Sequence, residues 1–179
     1  MFQLAKINKA DTGNQQADKP QNTDLSAYAL SYTWSGDVEQ AGRKLEFDIA
    51  YTTKDKDWTN AVLELGDEVR LSYTDEVTQE TYPVFQGRIF SRSRDSESYA
   101  MRFVAFDNII YLAKSRITRK YANVTVADAI RQTIHDFSIE AGMMPDLSVV
   151  CSFIADDISA TDAIKQALFY QSAQDGKGY

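Results

Sequence analysis

The sequence predicts an α+β protein in which an antiparallel β-barrel is followed by a small mixed α/β domain. Alternating apolar and polar residues recur between residues 26 and 106, at the short spacing typical of five or six hairpin-linked strands. Aromatic residues make up 12% of the chain, which favours β structure. Beyond residue 107 the apolar period changes from that of a strand to that of a helix.

The composition excludes several classes of protein. A chain of 179 residues can bury a core without disulfides. One cysteine and one histidine exclude a disulfide framework and any metal site built from several thiolates or imidazoles. The net charge of −7 argues against nucleic-acid binding by the chain as a whole. We see no secretory signal and no apolar run long enough for a membrane, so we expect assembly in the bacterial cytoplasm.

The first strands are predicted by their alternation. Residues 1–7 predict a short strand, and residues 8–24 form a polar loop with a composition typical of disorder. A half-buried strand follows, and its apolar face is predicted to consist of Tyr28, Leu30, Tyr32 and Trp34. Residues 45–51 give the cleanest alternation in the chain, with charged side chains on the wet face.

The next strands are separated by turns. Leu65-Gly66-Asp67-Glu68 predicts a turn before alternating residues 69–73. Residues 81–92 are strand-like, and Gly87 at their centre predicts a bulge or a sharp bend at a barrel corner. Residues 98–106 are apolar on both faces, which fits a strand covered on both sides.

The last third contains an internal repeat with an offset of 34 residues. Residues 124–142 and 158–176 each predict an amphipathic helix that ends at a glycine, Gly142 or Gly176. The predicted capping boxes are Thr125 with Asp128 and Ser159 with Asp162. A β-rich stretch at residues 147–153 lies between the helices, which excludes a tetratricopeptide repeat.

Two connecting segments complete the assignment. Asp107 predicts the cap of a short helix over residues 108–113, and residues 114–123 are basic and irregular.

We therefore expect a barrel domain at residues 1–115, followed by a mixed domain that begins at residue 116. This second domain is expected to be truncated at residue 179, so that residue 179 is not the natural end of the protein.

Candidate catalytic residues are isolated, so we predict that the chain is not an enzyme and needs no cofactor. His135 is predicted to be exposed, with no nucleophile beside it, and Cys151 to be a buried, inert thiol. Asp156-Asp157 predicts a solvated turn. Nothing places Glu46 and Asp48 across a cleft from a second acid, as a glycosidase needs.

A basic stretch gives the candidate binding residues. Residues 88–120 hold eight Lys or Arg against three Asp or Glu. On a small barrel this composition suits single-stranded nucleic acid, or a rim that contacts an acidic partner, and the residues leave both open. The candidate interface residues are Arg88, Arg92, Arg94, Arg116, Arg119, Lys120 and Trp58. For Trp58, an exposed contact and packing against the barrel are equally compatible with the sequence.

The order of several motifs resembles phage tail baseplate hub proteins of the XkdQ/YqbQ type, which are related to the late control protein D family. The motifs are residues 43–49, 65–71, 85–90 with 103–112, and 127–134 with 175–179. Gly66-Asp67-Glu68-Val69 resembles the G-D-x-V start of a strand in that family. The polar insert at residues 8–24 departs from the family pattern.

This resemblance implies a structural subunit of a phage or prophage tail, or of a phage-tail-like particle. It implies a tube-like barrel domain and a homotrimeric ring that joins the tail tube protein to the central spike and the baseplate wedge proteins. It implies neither a membrane nor a nucleic acid as partner, and the loops at residues 8–24 and 53–60 would be ordered only in the assembled tail. The alternative is a β-barrel module that binds single-stranded nucleic acid or glycan.

Overall fold

The computed structural model describes residues 1–8, 22–36, 42–94 and 98–178. Its contacts divide the chain into two units, residues 1–107 and 108–179. The division lies a few residues before the predicted boundary, because the short helix expected at the end of the first domain packs with the helices of the second unit. Most of the predicted 8–24 loop lies outside the described residues.

The first unit is one antiparallel sheet of seven strands. In chain order the strands are β1 (Phe2–Ile7), β2 (Thr23–Asp24), β3 (Ala29–Ser35), β4 (Lys44–Ala50), β5 (Glu68–Thr74), β6 (Thr81–Arg94) and β7 (Ala100–Phe106). Their order across the sheet is β2-β1-β5-β6-β7-β4-β3. The antiparallel prediction is confirmed, as is the α+β class.

One face of this sheet supplies a single core. Leu4 on β1 and Leu45 on β4 belong to the same buried cluster, although three strands separate β1 from β4 in the sheet. A sheet can bring such distant strands to one core only by curling around it. Phe47 and Phe103 stack in this core with their ring centroids 5.3 Å apart.

The curled sheet does not close, so the predicted barrel is wrong. Within the described residues no ladder joins β3 to β1 or β2, and β2 and β3 are the two edges. Strands β1 and β3 approach through side chains instead: the rings of Phe2 and Tyr32 lie 5.5 Å apart. Alternation predicts which face of a strand is apolar, but closure depends on whether the first and last strands meet.

The predicted burial of β3 is also wrong. Tyr32 pairs with Phe47 and Trp34 with Leu45, so both aromatic residues lie on the core side of the sheet, as the alternation predicted. They remain 40% and 47% exposed because no strand lies beyond them. Leu30 occupies a bulge in this strand and is 60% exposed.

Gly87 lies in the middle of β6. The register shifts of β6 lie on either side of the glycine, at Pro83/Phe85 against β5 and at Ile89/Ser91 against β7. A Cβ atom at Gly87 would lie 2.6 Å from the carbonyl carbon of Phe106 and 2.7 Å from Cζ of Phe85. The position therefore needs glycine because β7 passes too close for any side chain.

The second unit combines a two-stranded antiparallel ribbon with three helices. In chain order the elements are α1 (Ile110–Lys114), β8 (Arg116–Thr125), α2 (Val126–His135), β9 (Val150–Ser159) and α3 (Ala160–Asp175). Strand β8 occupies the segment that we predicted to be irregular. Its basic side chains and two register shifts hide the alternation that marks the other strands.

The sequence repeat is a structural repeat with two-fold pseudo-symmetry. Each copy is a strand followed by a helix, so residue Arg116 of β8 corresponds to Val150 of β9, and Thr125 to Ser159. The ladder pairs Arg116 with Ser159 and Thr125 with Val150. Exchanging the two copies turns the first of these pairs into the second, as a two-fold axis requires.

The irregular positions obey the same symmetry. Asn123 and its equivalent Asp157 both have left-handed backbones, with φ of 54° and 48°. The Asn123 amide donates to Ser152 Oγ at 2.8 Å, and the Asp157 amide donates to Thr118 Oγ1 at 3.2 Å. Each copy therefore repeats a bulge as well as a strand and a helix.

The helix starts were predicted better than the helix ends. Thr125 and Ser159 accept from the amides of Asp128 and Asp162, at 3.1 and 3.0 Å, so both are N-caps as predicted. The reciprocal bond runs from each hydroxyl to the Asp carboxylate, at 2.8 and 2.7 Å, because the aspartate side chain is shorter than the glutamate of a standard capping box. Gly176 caps α3 in the left-handed conformation as predicted. Helix α2 ends at His135, well before the glycine predicted to close it.

The short helix α1 begins later than predicted. Its N-cap position is Ile109, two residues after the Asp107 that was predicted to cap it. In the described part of the chain, no helix is both long and apolar enough to cross a membrane.

Candidate functional site

The predicted basic residues are divided between the two units. Arg88, Arg92 and Arg94 lie on β6 in the first unit, and the remaining cations lie on β8 in the second. Three of these six have a carboxylate partner, so part of the basic stretch is neutralised locally. What the stretch binds stays a prediction.

On β6 the three arginines differ in their surroundings. Arg88 donates to the Gly66 carbonyl at 3.2 Å and lies 3.5 Å from Glu68. Arg94 lies over the ring of Tyr51, 4.8 Å from its centroid, as a cation–π contact. Arg92 is exposed. Arg94 is exposed as well, whereas Arg88 is half-buried.

On β8 two arginines form ion pairs with aspartates, whereas no ion pair of Lys120 is found among the described residues. Arg116 Nε lies 2.7 Å from the carboxylate of Asp157, and this contact lowers the pKa of Asp157. Arg119 lies 2.8 Å from Asp136. Within the described ranges Lys120 has no ion-pair partner. Of these residues, Arg119, Lys120 and Asp136 line an open cleft in the second unit.

Trp58 packs against the first unit while keeping an exposed face. Its ring meets Tyr28 edge to face at 5.8 Å, and 38% of the residue remains accessible. Of the two alternatives left open by the sequence, the structure shows packing against the first unit. Its role in an interface stays a prediction.

The unclosed seam of the sheet forms an aromatic groove that the sequence did not predict. We define this aromatic groove by Phe2, Tyr32, Trp34, Tyr73 and Tyr82, which line about 590 Å³ of space together with Leu71 and Val84. The alternation did identify the aromatic face of β3. The structure shows that β3 is an edge strand in the described part of the chain, and for that reason this face is open rather than buried.

Within the described residues, the outer side of β3 pairs with no other strand, so β3 adds an open backbone edge to the aromatic groove. It is seven residues long, and every residue after Ala29 is exposed. Proteins usually protect a long apolar edge strand, because it can pair with another chain. An exposed edge beside an exposed aromatic surface is typical of a site that another polypeptide covers.

On the opposite face of the sheet, polar residues form a row across three strands. Arg102 on β7 holds Asp48 on β4 through two contacts, Nε to Oδ1 at 2.9 Å and Nη2 to Oδ2 at 3.2 Å. Ser31 on β3 donates to the same carboxylate at 2.9 Å. The Arg102 hydrogen bonds, followed by the Ser31 bond, hold the pKa of Asp48 below its usual range.

The bonds to Asp48 in this row predict that the stability of the chain depends on pH. Because the pKa of Asp48 is lower in the folded chain, its contribution to stability is complete above the unfolded value of about 3.9. The contribution is lost as the pH falls through the folded-state pKa. Asp48→Asn should therefore destabilise the chain by about 1 kcal/mol at neutral pH, since Arg102 is largely exposed.

Urea unfolding of both proteins across the acid range measures this effect. The difference in unfolding free energy should shrink below about pH 4 and vanish at lower pH. A difference that stays constant into strong acid would show that the carboxylate charge does not matter.

The residues weighed as catalytic are not brought together. His135 is exposed at the end of α2. Cys151 is buried in the second core, and burial raises the pKa of its thiol, as expected for an inert cysteine. Asp156 and Asp157 lie in β9 rather than in a turn. Among the residues that the structure describes, no cluster of His, Cys, Asp and Glu could hold a metal ion.

Comparison with known proteins identifies relatives of this chain. The family model described as YqbQ-like matches residues 32–179, which include parts of both units. The uncharacterized protein YqbQ of Bacillus subtilis (strain 168) is 29% identical over 98 residues, which are 54% of this chain and 29% of YqbQ.

Two solved structures are similar in fold. The 43 kDa tail protein of prophage MuSo2 from Shewanella oneidensis superposes with a TM-score of 0.63 at 10% identity, over 92% of this chain and 48% of that one. The E. coli c3393 protein, a type VI secretion component, gives a TM-score of only 0.44 at 11% identity, over 92% and 38% of the two chains. This chain thus spans less than half of each relative.

Proposed function

The chain belongs to the YqbQ-like family, and we propose that it is a structural subunit of a phage or prophage tail. The family match over most of the chain carries this proposal. The fold shared with a prophage tail protein supports it. In finer detail, we propose that the subunit forms part of a baseplate hub, a homotrimeric ring between the tail tube and the central spike.

The exposed surfaces of the first unit suit such a role. The aromatic groove and the free edge of β3 would be a liability on a protein that remained alone in solution. In a tail, neighbouring subunits would cover both. The same reasoning makes catalysis unnecessary, since an assembly subunit acts through its contacts. We therefore propose that the protein is not an enzyme and resides in the tail particle.

The test is to charge the β3 edge without disturbing the core. We expect Leu30→Lys combined with Trp34→Lys to remove the protein from tail particles, because lysines on an edge strand oppose pairing with another strand. The fold should persist, since neither residue belongs to the buried core, and Leu30 and Trp34 are 60% and 47% exposed. Particles from the producing bacterium are purified, analysed by mass spectrometry and imaged by electron microscopy.

Val77→Lys is the matched control. Val77 is an apolar residue, 92% exposed, in the turn between β5 and β6, away from the β3 edge. Particles carrying Val77→Lys should assemble normally and contain the protein at the baseplate end. The absence of the protein from wild-type particles would refute the tail role. Normal incorporation of the double variant would refute only the role of the β3 edge.

A further inference from the structure

The open cleft of the second unit carries an excess of positive charge. We call it the cationic cleft, and its lining residues are Arg119, Lys120, Arg131, Gln132, His135 and Asp136. The lining therefore holds three permanent cations, Arg119, Lys120 and Arg131, and one carboxylate, that of Asp136. The volume of the cleft is about 580 Å³. The surrounding chain is acidic, with a net charge of −7, so this cluster is a local reversal of the charge of the whole protein.

Two of the cations are held in position by the protein itself. Arg119 donates to the Gln132 carbonyl at 3.0 Å and pairs with Asp136 at 2.8 Å. Arg131 pairs with Asp128 at 3.2 Å. A guanidinium that is already oriented loses less side-chain entropy when it binds a further anion. Lys120 has no ion-pair partner in the described part of the chain and can supply its full charge to a ligand.

The repeat shows that the fold does not require these charges. The positions equivalent to Arg119 and Asp136 are Phe153 and Tyr170, whose rings stack at 6.0 Å in place of an ion pair. The position equivalent to Lys120 holds Ile154. The same strand-and-helix framework thus carries three cations in one copy and, in the other, two apolar residues and the single cation Lys165.

A second cleft adjoins the cationic cleft and has a different character. The two clefts share Arg131 and His135, and the second is also lined by Ile134, Ile139 and Glu140. Because Glu140 repels a second carboxylate, the acidic groups of a ligand belong in the cationic cleft and only its apolar group belongs beside the isoleucines. A ligand that fills both must offer carboxylates or phosphates next to an apolar group. A polypeptide with acidic and aliphatic side chains meets this requirement, whereas a nucleic-acid backbone does not offer aliphatic groups.

We propose that the cationic cleft binds an acidic segment of another protein, with the carboxylates of that segment on Arg119, Lys120 and Arg131. An aliphatic side chain of the segment occupies the adjoining cleft. The inference rests on the proposed function in one respect, since the partner is taken to be another protein of the tail. It concerns the second unit, whereas the groove and the β3 edge lie in the first.

Fluorescence anisotropy with the intact chain tests the proposal. The probe is a short fluorescent peptide of alternating glutamate and leucine, and the reference is the same peptide with glutamine in place of glutamate. We expect the glutamate peptide to bind and added salt to weaken it. Lys120→Glu should reduce its affinity about tenfold, equivalent to roughly 1.4 kcal/mol.

The repeat provides the matched controls. Lys165 occupies the position in α3 that Arg131 occupies in α2, so Lys165→Glu changes the net charge equally but lies in the other copy. It should leave peptide affinity nearly unchanged. Lys120→Ile introduces the side chain that the fold already accepts at the equivalent position, and it should weaken binding while the fold is retained.

Several results would overturn the proposal. One is the absence of binding by the glutamate peptide, and another is equal binding of the glutamine peptide. Equal losses with Lys120→Glu and Lys165→Glu would show non-specific attraction. Tighter, Lys120-dependent binding of an oligothymidylate would assign the cleft to a phosphate ligand. None of these results depends on whether the protein is found in tail particles. The proposed tail role and the proposed peptide binding can therefore be refuted independently of each other.

Discussion

Gly87→Ala is expected to destabilise the first unit by roughly 3 kcal/mol, the upper part of the range for overpacking a core. The added methyl group would press on the backbone carbonyl of Phe106 and on the ring of Phe85. The Phe106 carbonyl belongs to the neighbouring strand of the sheet, so β6 and β7 must separate to make room. A flexible side chain could move aside, but a backbone in a ladder cannot.

Tryptophan fluorescence during urea unfolding measures this loss. The chain has two tryptophans, Trp34 and Trp58, and both lie in the first unit, so the signal reports that unit. Gly36→Ala is the control in the same unit, because a Cβ atom there would meet only the flexible side chain of Arg43, at 3.4 Å. It should leave the midpoint unchanged. Equal midpoints for wild type and Gly87→Ala would contradict the close approach of β7.

Tyr121→Ala is expected to cost the second unit about 3–5 kcal/mol, as for other large aromatic residues removed from a core. Tyr121 is 2% exposed and stacks on Phe153 with the ring centroids 4.6 Å apart. Its hydroxyl bonds Thr133 Oγ1 at 2.6 Å, and Thr133 in turn donates to the Ala129 carbonyl. The side chain therefore joins β8 to α2. Domains have only about 5–15 kcal/mol of stability, so this unit should be partly unfolded.

The single cysteine makes this loss measurable in the second unit. Cys151 is 1% exposed in the core that contains Tyr121, so a thiol reagent reaches it only when that core opens. Labelling of Tyr121→Ala should be much faster than labelling of the wild type. Tyr121→Phe keeps the ring and loses one hydrogen bond, so it should cost only about 1 kcal/mol. Equal labelling rates for wild type and Tyr121→Ala would exclude Tyr121 as a core residue.

Features that depend on neighbouring residues in the chain were predictable. The caps at Thr125 and Ser159 form because a hydroxyl reaches the amide three residues ahead, and that geometry is local. The alternation of residues 45–49 likewise placed three side chains in the core. Prediction failed where local signals were weak. Strand β8 was predicted to be irregular because two register shifts break its alternation. Helix α2 was predicted to end at Gly142, but it ends at His135.

The candidate sites were less predictable, because they depend on residues that are distant in sequence. The basic stretch identified Arg119 and Lys120, but the cationic cleft also needs Arg131 and His135 from α2. The repeat was visible in the sequence, yet its two-fold symmetry appeared only with the pairing of β8 and β9. A repeated motif can be arranged in several ways, and only the strand register selects one.

The sequence by itself determined the α+β class, the antiparallel sheet, the capped helices and the absence of a multi-thiolate or multi-histidine site. These follow from composition and from periods of two and 3.6 residues, which short stretches of chain encode. Only the tertiary structure decided that the sheet stays open and that Tyr32 and Trp34 are exposed on its core side. Closure requires two edge strands to meet at a particular curvature, and that is a property of all seven strands together.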